Sequence, residues 1–134
     1  MWRFRHRSLS AMKYSFDYNP PAPALKVRLT KPLSNQFVEL QARLDTGADM
    51  TVLPEDAVDR LRLIPASRVS VLSFTGEEVL KYTYFIDLAF NGYKLPMVEV
   101  LGARRGDVLL GRDVLNMLKA TLDGKALSLD LSDP

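Results

Sequence analysis

The alternation of apolar and polar residues along the chain is the feature that most constrains its fold. Apolar residues occupy every second position in residues 25–29, in residues 38–44 and again along residues 79–90. This period of two is typical of half-buried β-strands, because successive side chains of a strand point to opposite faces. Asn91-Gly92 is the strongest hairpin signal, since a two-residue type I′ turn requires positive φ at both positions. The pattern predicts an all-β domain, built as a closed barrel or a sandwich.

The rest of the chain predicts further strands and little helix. Short strands are expected at residues 51–53, 69–74, 93–101 and 108–110, and a final hairpin is expected to join residues 120–122 and 126–131 across Asp123-Gly124. Helical spacing of apolar residues predicts one short helix at residues 113–119, after a helical turn at residues 54–56. On the long strand, Tyr82, Tyr84 and Ile86 are expected to face the barrel core.

Composition excludes most catalytic chemistries. The length of 134 residues suits a single domain. The chain has no cysteine, so disulfides, thiolate catalysis and cysteine-ligated zinc are excluded. Its single histidine, His6, lies in the amino-terminal tail, so the folded part of the chain has no histidine from which to build a Ser-His-Asp triad or a histidine-ligated metal site. Catalysis would therefore rest on carboxylates, and we expect neither a metal ion nor another cofactor.

The basic charge of the chain is concentrated at its amino end. Residues 1–13 hold four basic residues and no acidic one, while the remainder carries a net charge of −2. We therefore assign residues 1–18 to a basic, flexible leader and residues 19–134 to the folded domain, on which we expect no nucleic-acid interface. No apolar run reaches the roughly 20 residues of a membrane-spanning helix. No secretory core follows the basic residues, so we expect a cytoplasmic protein without a membrane partner.

One stretch of the chain gathers residues that can carry chemistry. Residues 44–53 place Asp45, Thr46, Gly47 and Asp49 on a turn between two apolar strands. A turn on a rigid scaffold can present a carboxylate to a substrate, which predicts a functional site. The same residues are also consistent with a solvated turn, in which Asp45 and Asp49 only accept hydrogen bonds from nearby backbone amides. The residues alone leave both interpretations open.

This stretch resembles the active-site motif of the retropepsins, the aspartic peptidases of retroviruses and of their cellular and bacterial relatives. Residues 108–115, Val-Leu-Leu-Gly-Arg-Asp-Val-Leu, resemble the second signature of that family, a hydrophobic pair and a glycine followed by a short helix. The resemblance covers roughly residues 25–131 and follows the pattern of single-domain bacterial members. It implies a retropepsin-like closed barrel with one short C-terminal helix, and a homodimer with the active site at its interface.

By this resemblance the chain is an aspartic endopeptidase, which hydrolyses peptide bonds with a water molecule activated by two aspartates. It has one such motif, and neither Asp107 nor Asp123 stands in a threonine-glycine setting, so the second carboxylate would be Asp45 of a second copy. Two carboxylates about 3 Å apart repel by roughly 5 kcal/mol at an effective dielectric of about 20, so the pair would share one proton, as in aspartic proteases generally. Thr46 would bond across the dimer axis, and Gly47 would let the backbone approach the carboxylates.

The resemblance also assigns the residues that contact a peptide or protein substrate. They are Ala48, Asp49, Phe74, Thr75 and Gly76. Asp49 would bind the substrate backbone and pair with Arg112, and Ala48 stands where larger, two-lobed relatives often have serine. The segment 73–79 lies where the family carries its flap, a mobile hairpin that closes over the substrate. Viral flaps are rich in glycine, whereas this segment has Gly76 alone and two glutamates.

Two other functions remain open. One is a non-catalytic dimerisation or peptide-binding module that keeps the retropepsin fold, which the departures in the flap segment favour and the intact Asp45, Thr46 and Gly47 oppose. The other is a magnesium-dependent phosphate enzyme that uses Asp45 and Asp49. Three intervening residues on a turn do not reproduce the paired acids of such sites, and no phosphate-binding glycine loop accompanies them.

Overall fold

The computed structural model describes residues 7–73 and 75–133 of the chain. Strands dominate this part of the chain, and its two helices are short. The elements, in chain order, are β1 (Arg7–Lys13), β2 (Ala24–Thr30), β3 (Phe37–Leu44), β4 (Val52–Pro54), α1 (Glu55–Arg60), β5 (Ser67–Leu72), β6 (Glu78–Phe90), β7 (Tyr93–Ala103), β8 (Val108–Leu110), α2 (Arg112–Leu115), β9 (Lys119–Asp123) and β10 (Ser128–Asp133). Neither helix is long and apolar enough to cross a membrane.

The larger sheet closes into a barrel. Its strands lie in the order β2-β3-β8-β4-β7-β6-β5, and β2 also pairs with β6. Six strands therefore form the closed barrel, and β5 extends it as an outer strand beside β6. The β3–β8 and β4–β7 pairs are parallel, whereas the other pairs of this sheet are antiparallel. The closed, all-β architecture predicted from the sequence is confirmed.

The core fills the barrel with the apolar face of each strand. In β2, Leu25, Val27 and Leu29 are buried, while the residues between them are exposed. The hydrophobic effect drives this alternation, because burying one such aliphatic side chain stabilises the fold by about 1.5–3 kcal/mol. Both helices add buried residues to the same core, among them Val58 from α1 and Val114 from α2. The core therefore holds the short helices against the barrel.

A second, smaller sheet is built from the two ends of the chain. Its order is β1-β10-β9, with both pairs antiparallel, and Leu129 and Leu131 of its central strand are buried in the barrel core. Residues 7–13, which the sequence assigned to the leader, thus form a paired strand. The predicted two-residue turn at Asp123-Gly124 is wrong. Asp123 pairs with Ser128, so four residues make the turn, and Leu127 rather than an asparagine or glycine takes positive φ, at 51°.

Three other local predictions differ from the structure. Tyr82 does not face the core but is 52% exposed, because β6 extends beyond the barrel there and has only β5 beside it. The helix predicted at residues 113–119 ends after one turn at Leu115, and the chain enters β9 at Lys119. The strand predicted to continue to residue 74 ends at Leu72. In contrast, Asn91 and Gly92 form the predicted turn, with φ values of 48° and 82°.

Candidate active site

Asp45 lies at the point where β3 leaves the barrel. Leu44, the last residue of β3, pairs with Leu110 of the parallel strand β8. The Asp45 amide then donates a hydrogen bond of 3.0 Å to the Leu110 carbonyl, which ties the residue to the neighbouring strand. Residues 45–51, here called the Asp45 loop, connect β3 to β4. The side chain of Asp45 is partly exposed, so its carboxylate is fixed to the barrel and still open to a ligand.

A tight turn orients the Asp45 carboxylate. The Gly47 amide donates to Asp45 Oδ1 over 2.9 Å, and the Ala48 amide donates to the Asp45 carbonyl over 3.2 Å. A Cβ atom at Gly47 would lie 3.1 Å from Asp45 Oδ1, closer than most Cβ atoms approach a neighbour, so glycine allows this contact. The functional site and the solvated turn both predict that a backbone amide donates a hydrogen bond to the Asp45 carboxylate. The remaining contacts of the loop distinguish a braced site from a simple solvated turn.

Arg112, at the start of α2, braces the Asp45 loop. Its guanidinium donates to the Thr46 carbonyl over 2.7 Å and to Asp49 Oδ1, while its amide donates to the Ala48 carbonyl over 2.9 Å. The side chains of Arg112 and Asp49 are 45% and 84% exposed, so solvent screens the ion pair and it adds little to overall stability. Together, the three hydrogen bonds of Arg112 hold Thr46, Ala48 and Asp49 of the loop against the second signature segment.

The contact between Arg112 and Asp49 also concerns the alternative function, a magnesium-dependent phosphate enzyme. Asp49, the second acid such a site would use, has a guanidinium on one of its oxygens. Within residues 7–73 and 75–133, no group of three or more histidine, cysteine, aspartate or glutamate side chains is placed to hold a metal ion.

A buried network behind the loop was not predicted from the sequence. Thr51 is fully buried, and its hydroxyl donates to Asp113 Oδ1 over 2.9 Å while it accepts the Gly111 amide over 3.1 Å. The Thr51 amide donates to Asp113 Oδ2 over 3.0 Å. Two sequence signals were available. Thr51 is a polar β-branched residue directly before the apolar Val52, and Asp113 is an acid in the first turn of the second signature helix.

Gly111 brings α2 close to the Asp45 loop. A Cβ atom there would lie 2.7 Å from the carbonyl carbon and 2.8 Å from the carbonyl oxygen of Met50, distances that real Cβ atoms do not show. Because the obstructing atoms are backbone, the loop would have to move to admit a side chain. The glycine of the second signature is therefore required by the approach of two backbone segments.

The candidate flap is the turn between β5 and β6. The Gly76 amide donates to the Ser73 carbonyl over 3.0 Å, and Gly76 has a φ of 83°. The hydroxyl groups of Ser73 and Thr75 lie 2.9 Å apart. Thr75 and Gly76 are exposed, and the hydrogen bonds that the structure gives them stay within the hairpin. Phe74, the remaining residue assigned to the flap, lies outside the described residues.

A charged cluster lies beside the strands that carry the site. Asp107, just before β8, accepts hydrogen bonds from the Tyr18 hydroxyl over 2.6 Å and from Arg105 over 2.5 Å. The Nε of Arg43 is 3.6 Å from Asp107, too far for a hydrogen bond, and it has no hydrogen-bond partner among the described residues. Arg43 therefore contributes through its charge, and its guanidinium lies 4.9 Å from the ring centroid of Tyr18.

The charged cluster shifts the pKa values of two of its members, Tyr18 and Asp107. Burial, together with the hydrogen bond to Asp107, raises the pKa of Tyr18 to about 12. Burial alone would raise the pKa of Asp107, but the hydrogen bonds from Tyr18 and Arg105 and the charges of Arg105 and Arg43 outweigh it and lower that pKa. The ionised carboxylate is therefore the stable form at neutral pH, and it ties Tyr18 to the base of β8.

Several solved structures share the fold of this chain, among them a bacterial protease and two viral ones. A retropepsin-like aspartic protease from Rickettsia conorii is 14% identical, with a TM-score of 0.64 over 98% of this chain and 95% of that one. The EIAV protease is 23% identical, with a TM-score of 0.54 over 71% of this chain and 86% of that one. A foamy viral protease-reverse transcriptase is 22% identical, with a TM-score of 0.54 over 72% of this chain and 12% of that one. No curated protein sequence matches the chain at a significant level.

The sequence itself matches a family model. The model is described as "gag-polyprotein putative aspartyl protease", and it matches residues 34–117. That segment includes the Asp45 loop, the candidate flap and the second signature with Arg112. Because the match covers more than half of the chain and agrees with the fold, the chain belongs to the family of retropepsin-like aspartic proteases.

Proposed function

We propose that the chain is an aspartic endopeptidase that acts as a homodimer, in which each subunit supplies Asp45. The observation that carries this proposal is the braced loop: one partly exposed aspartate in an Asp-Thr-Gly turn, fixed to β8 and held by Arg112. Loops on a rigid scaffold are where catalytic carboxylates are expected. Membership of an aspartic protease family agrees with this assignment.

A second copy is needed because one chain supplies only one of the two carboxylates that the reaction requires. Aspartic protease chemistry uses two of them, and the sequence holds one Asp-Thr-Gly motif. Asp107 is engaged by Tyr18 and Arg105, and Asp123 lies at the end of β9. The second carboxylate is then Asp45 of the partner, related by a two-fold axis that passes between the two loops. Thr46 is exposed beside Asp45, as a residue that bonds across this axis must be.

The two carboxylates divide the proton transfers between them. Repulsion of roughly 5 kcal/mol at about 3 Å keeps one proton on the pair. The ionised carboxylate takes a proton from water as the water oxygen attacks the carbonyl carbon, and the protonated carboxylate donates its proton to the carbonyl oxygen. The tetrahedral intermediate then breaks its C–N bond: the carboxyl that took the water proton donates it to the leaving nitrogen, and the other carboxylate takes a proton from a hydroxyl of the intermediate, which restores the single shared proton. These steps balance without a metal ion or other cofactor.

The substrate in this proposal is an extended peptide that lies between the Asp45 loops and the flaps. Ala48 and Asp49 lie in the Asp45 loop, with the Asp49 carboxylate available to peptide amides on its exposed side. On the β5–β6 hairpin, Leu72, Leu80 and Tyr82 are all exposed, and the strand register puts them on one face. The same face also carries Arg68, Ser70 and Glu78, so a hairpin that closes over the peptide would cover it with apolar and polar side chains and exclude water from the reaction.

Digestion of a peptide library, followed by mass spectrometry, tests the proposal. Wild-type protein should cleave a defined subset of peptides, and Asp45→Asn should cleave none because the shared proton and the base are removed. Asp56→Asn, the same change at an exposed aspartate of α1, is the matched control and should cleave as wild type does. Turnover that survives in Asp45→Asn would contradict the proposal. Peptide binding without cleavage by the wild-type protein would favour the non-catalytic peptide-binding module. The exposed Glu77 and Glu78 beside the flap turn are the feature that favours this alternative.

A further inference from the structure

Arg43 lies on the same outward face of the barrel as Asp45, two residues before it. Its side chain is partly exposed, whereas the neighbouring Ala42 is buried in the core. In the parallel β3–β8 pair, Arg43 is the register partner of Leu109. The hydrogen bond from the Asp45 amide to the Leu110 carbonyl continues this ladder by one step. Because side chains alternate along a strand, Arg43 and Asp45 share one face and lie about 7 Å apart along the chain.

The charged cluster on this face has one cation in excess. The charges that act on Tyr18 are those of Asp107, Arg43 and Arg105, which are two cations and one anion. The Asp107 carboxylate already accepts hydrogen bonds from Tyr18 and Arg105, and it lies 3.6 Å from the Nε of Arg43. Across residues 7–73 and 75–133, the Arg43 guanidinium donates no hydrogen bond. Arg43 is therefore the cation that can still bind an anion.

The Arg43 side chain is held on one side and open on another. Its guanidinium lies 4.9 Å from the ring centroid of Tyr18, a cation–π contact, and its Nε is buried. The side chain as a whole is 38% exposed, so atoms other than Nε face solvent. Tyr18 stays protonated because its pKa is raised to about 12, and it adds no negative charge that would compete for the guanidinium. A cation held in this way loses little side-chain entropy when it binds a carboxylate.

We infer that Arg43 binds an acidic side chain of the substrate, at a residue within two positions of the scissile bond. The inference rests on the proposed function, because it takes the scissile bond to lie at Asp45. A guanidinium matches a carboxylate with a fork of N–H groups, and such charge-assisted hydrogen bonds are strong. An extended peptide advances about 3.3 Å per residue, so the spacing of about 7 Å corresponds to two substrate residues. In the dimer, the two-fold axis would place a second Arg43 on the other side of the bond.

Digestion of a randomised octapeptide library, followed by mass spectrometry, tests the inference. Wild type should cleave peptides with Asp or Glu within two residues of the cleaved bond about tenfold more efficiently than peptides with Asn or Gln there. Arg43→Gln should lose this preference, whereas Arg43→Lys keeps the positive charge and should retain part of it. Arg28→Gln, the same change at an exposed position of β2, is the control and should keep the wild-type preference.

A structural role for Arg43 predicts a different result. The variants would then lose stability in urea unfolding, while the ranking of acidic and neutral peptides would stay as in wild type. Circular dichroism verifies that each variant is folded, and Arg43→Met, which also removes the charge but keeps a long side chain, provides a second neutral variant. A preference for acidic residues that survives in the folded neutral variants would overturn the inference.

A binding measurement separates this inference from the proposed function. The same library is passed over immobilised Asp45→Asn protein, which measures peptide retention without cleavage. Retention of acidic peptides that is lost when Arg43→Gln is added would support the role of Arg43, even if wild type cleaved no peptide, a result that contradicts the peptidase alone. Cleavage by wild type without a preference for acidic residues would overturn the inference and leave the peptidase supported. Neither cleavage nor retention of acidic peptides would overturn both.

Discussion

Thr51 and Asp113 are joined by two hydrogen bonds that connect the end of the Asp45 loop to the start of α2. The Thr51 hydroxyl donates to one carboxylate oxygen over 2.9 Å, and the Thr51 amide donates to the other over 3.0 Å. The same hydroxyl accepts the buried Gly111 amide over 3.1 Å. One threonine thus satisfies polar groups of both signature segments in the interior, where an unpaired polar group is costly.

Thr51→Val should destabilise the fold although it keeps the size and shape of the side chain. The Gly111 amide loses its acceptor and Asp113 loses a donor, so we expect the free energy of unfolding to fall by about 1–3 kcal/mol. Urea unfolding followed by circular dichroism measures this. Thr75→Val, at an exposed position, is the matched control and should change stability by less than about 0.5 kcal/mol. Equal effects of the two substitutions would show that the buried network contributes nothing.

Arg112→Lys should impair activity more than stability. A lysine cannot bond the Thr46 carbonyl and the Asp49 carboxylate in the planar fork geometry of a guanidinium. The ion pair is largely exposed, so the free energy of unfolding should change by less than about 1 kcal/mol. A loop held less firmly should lower kcat/KM on a cleaved peptide by about tenfold or more. Arg60→Lys on α1 is the control, and the prediction fails if both variants keep wild-type kcat/KM.

Asp107→Asn should destabilise the protein at neutral pH and much less in acid. The folded-state pKa of Asp107 lies below its ordinary value of 3.8, so its ionisation stabilises the fold above that value. This contribution is lost as the pH falls through the folded-state pKa, where the wild-type carboxyl also becomes neutral. Urea unfolding at pH 7 should show a deficit of about 1–3 kcal/mol for the variant, and the deficit should shrink below about pH 4. A deficit of the same size at both pH values would rule out ionisation as its cause.

The barrel strands follow from local signals, because alternation and turn chemistry act on neighbouring residues. Asn91-Gly92 forms the predicted turn since both residues tolerate positive φ. Asp123-Gly124 carries a similar signal, but Asp123 ends β9 and only Gly124 lies in the four-residue turn, because the register of β9 with β10 is set by burial of Leu129 and Leu131. Tyr82 shares the periodicity of the core strand, but periodicity does not tell where a strand leaves the barrel.

The candidate active site likewise combines local features that the sequence predicts with non-local contacts that it does not. The Asp45 turn is local and visible in the sequence, and the contact between Asp49 and Arg112 agrees with what the family resemblance implies. The bonds of Thr51 to Asp113 join residues 62 positions apart, and neither residue type signals its partner. The approach of Gly111 to the Met50 backbone is equally non-local. Such contacts become apparent only when the two segments are placed together.

Mixing wild-type and Asp45→Asn subunits tests most directly whether one active site takes an aspartate from each copy. At equal concentrations and after full subunit exchange, random association leaves about one quarter of the dimers with two aspartates. The rate of peptide cleavage should therefore fall to about one quarter of that given by the same total concentration of wild-type subunits. If each subunit carried a complete site of its own, the rate would fall only to about one half, and that result would contradict the shared site.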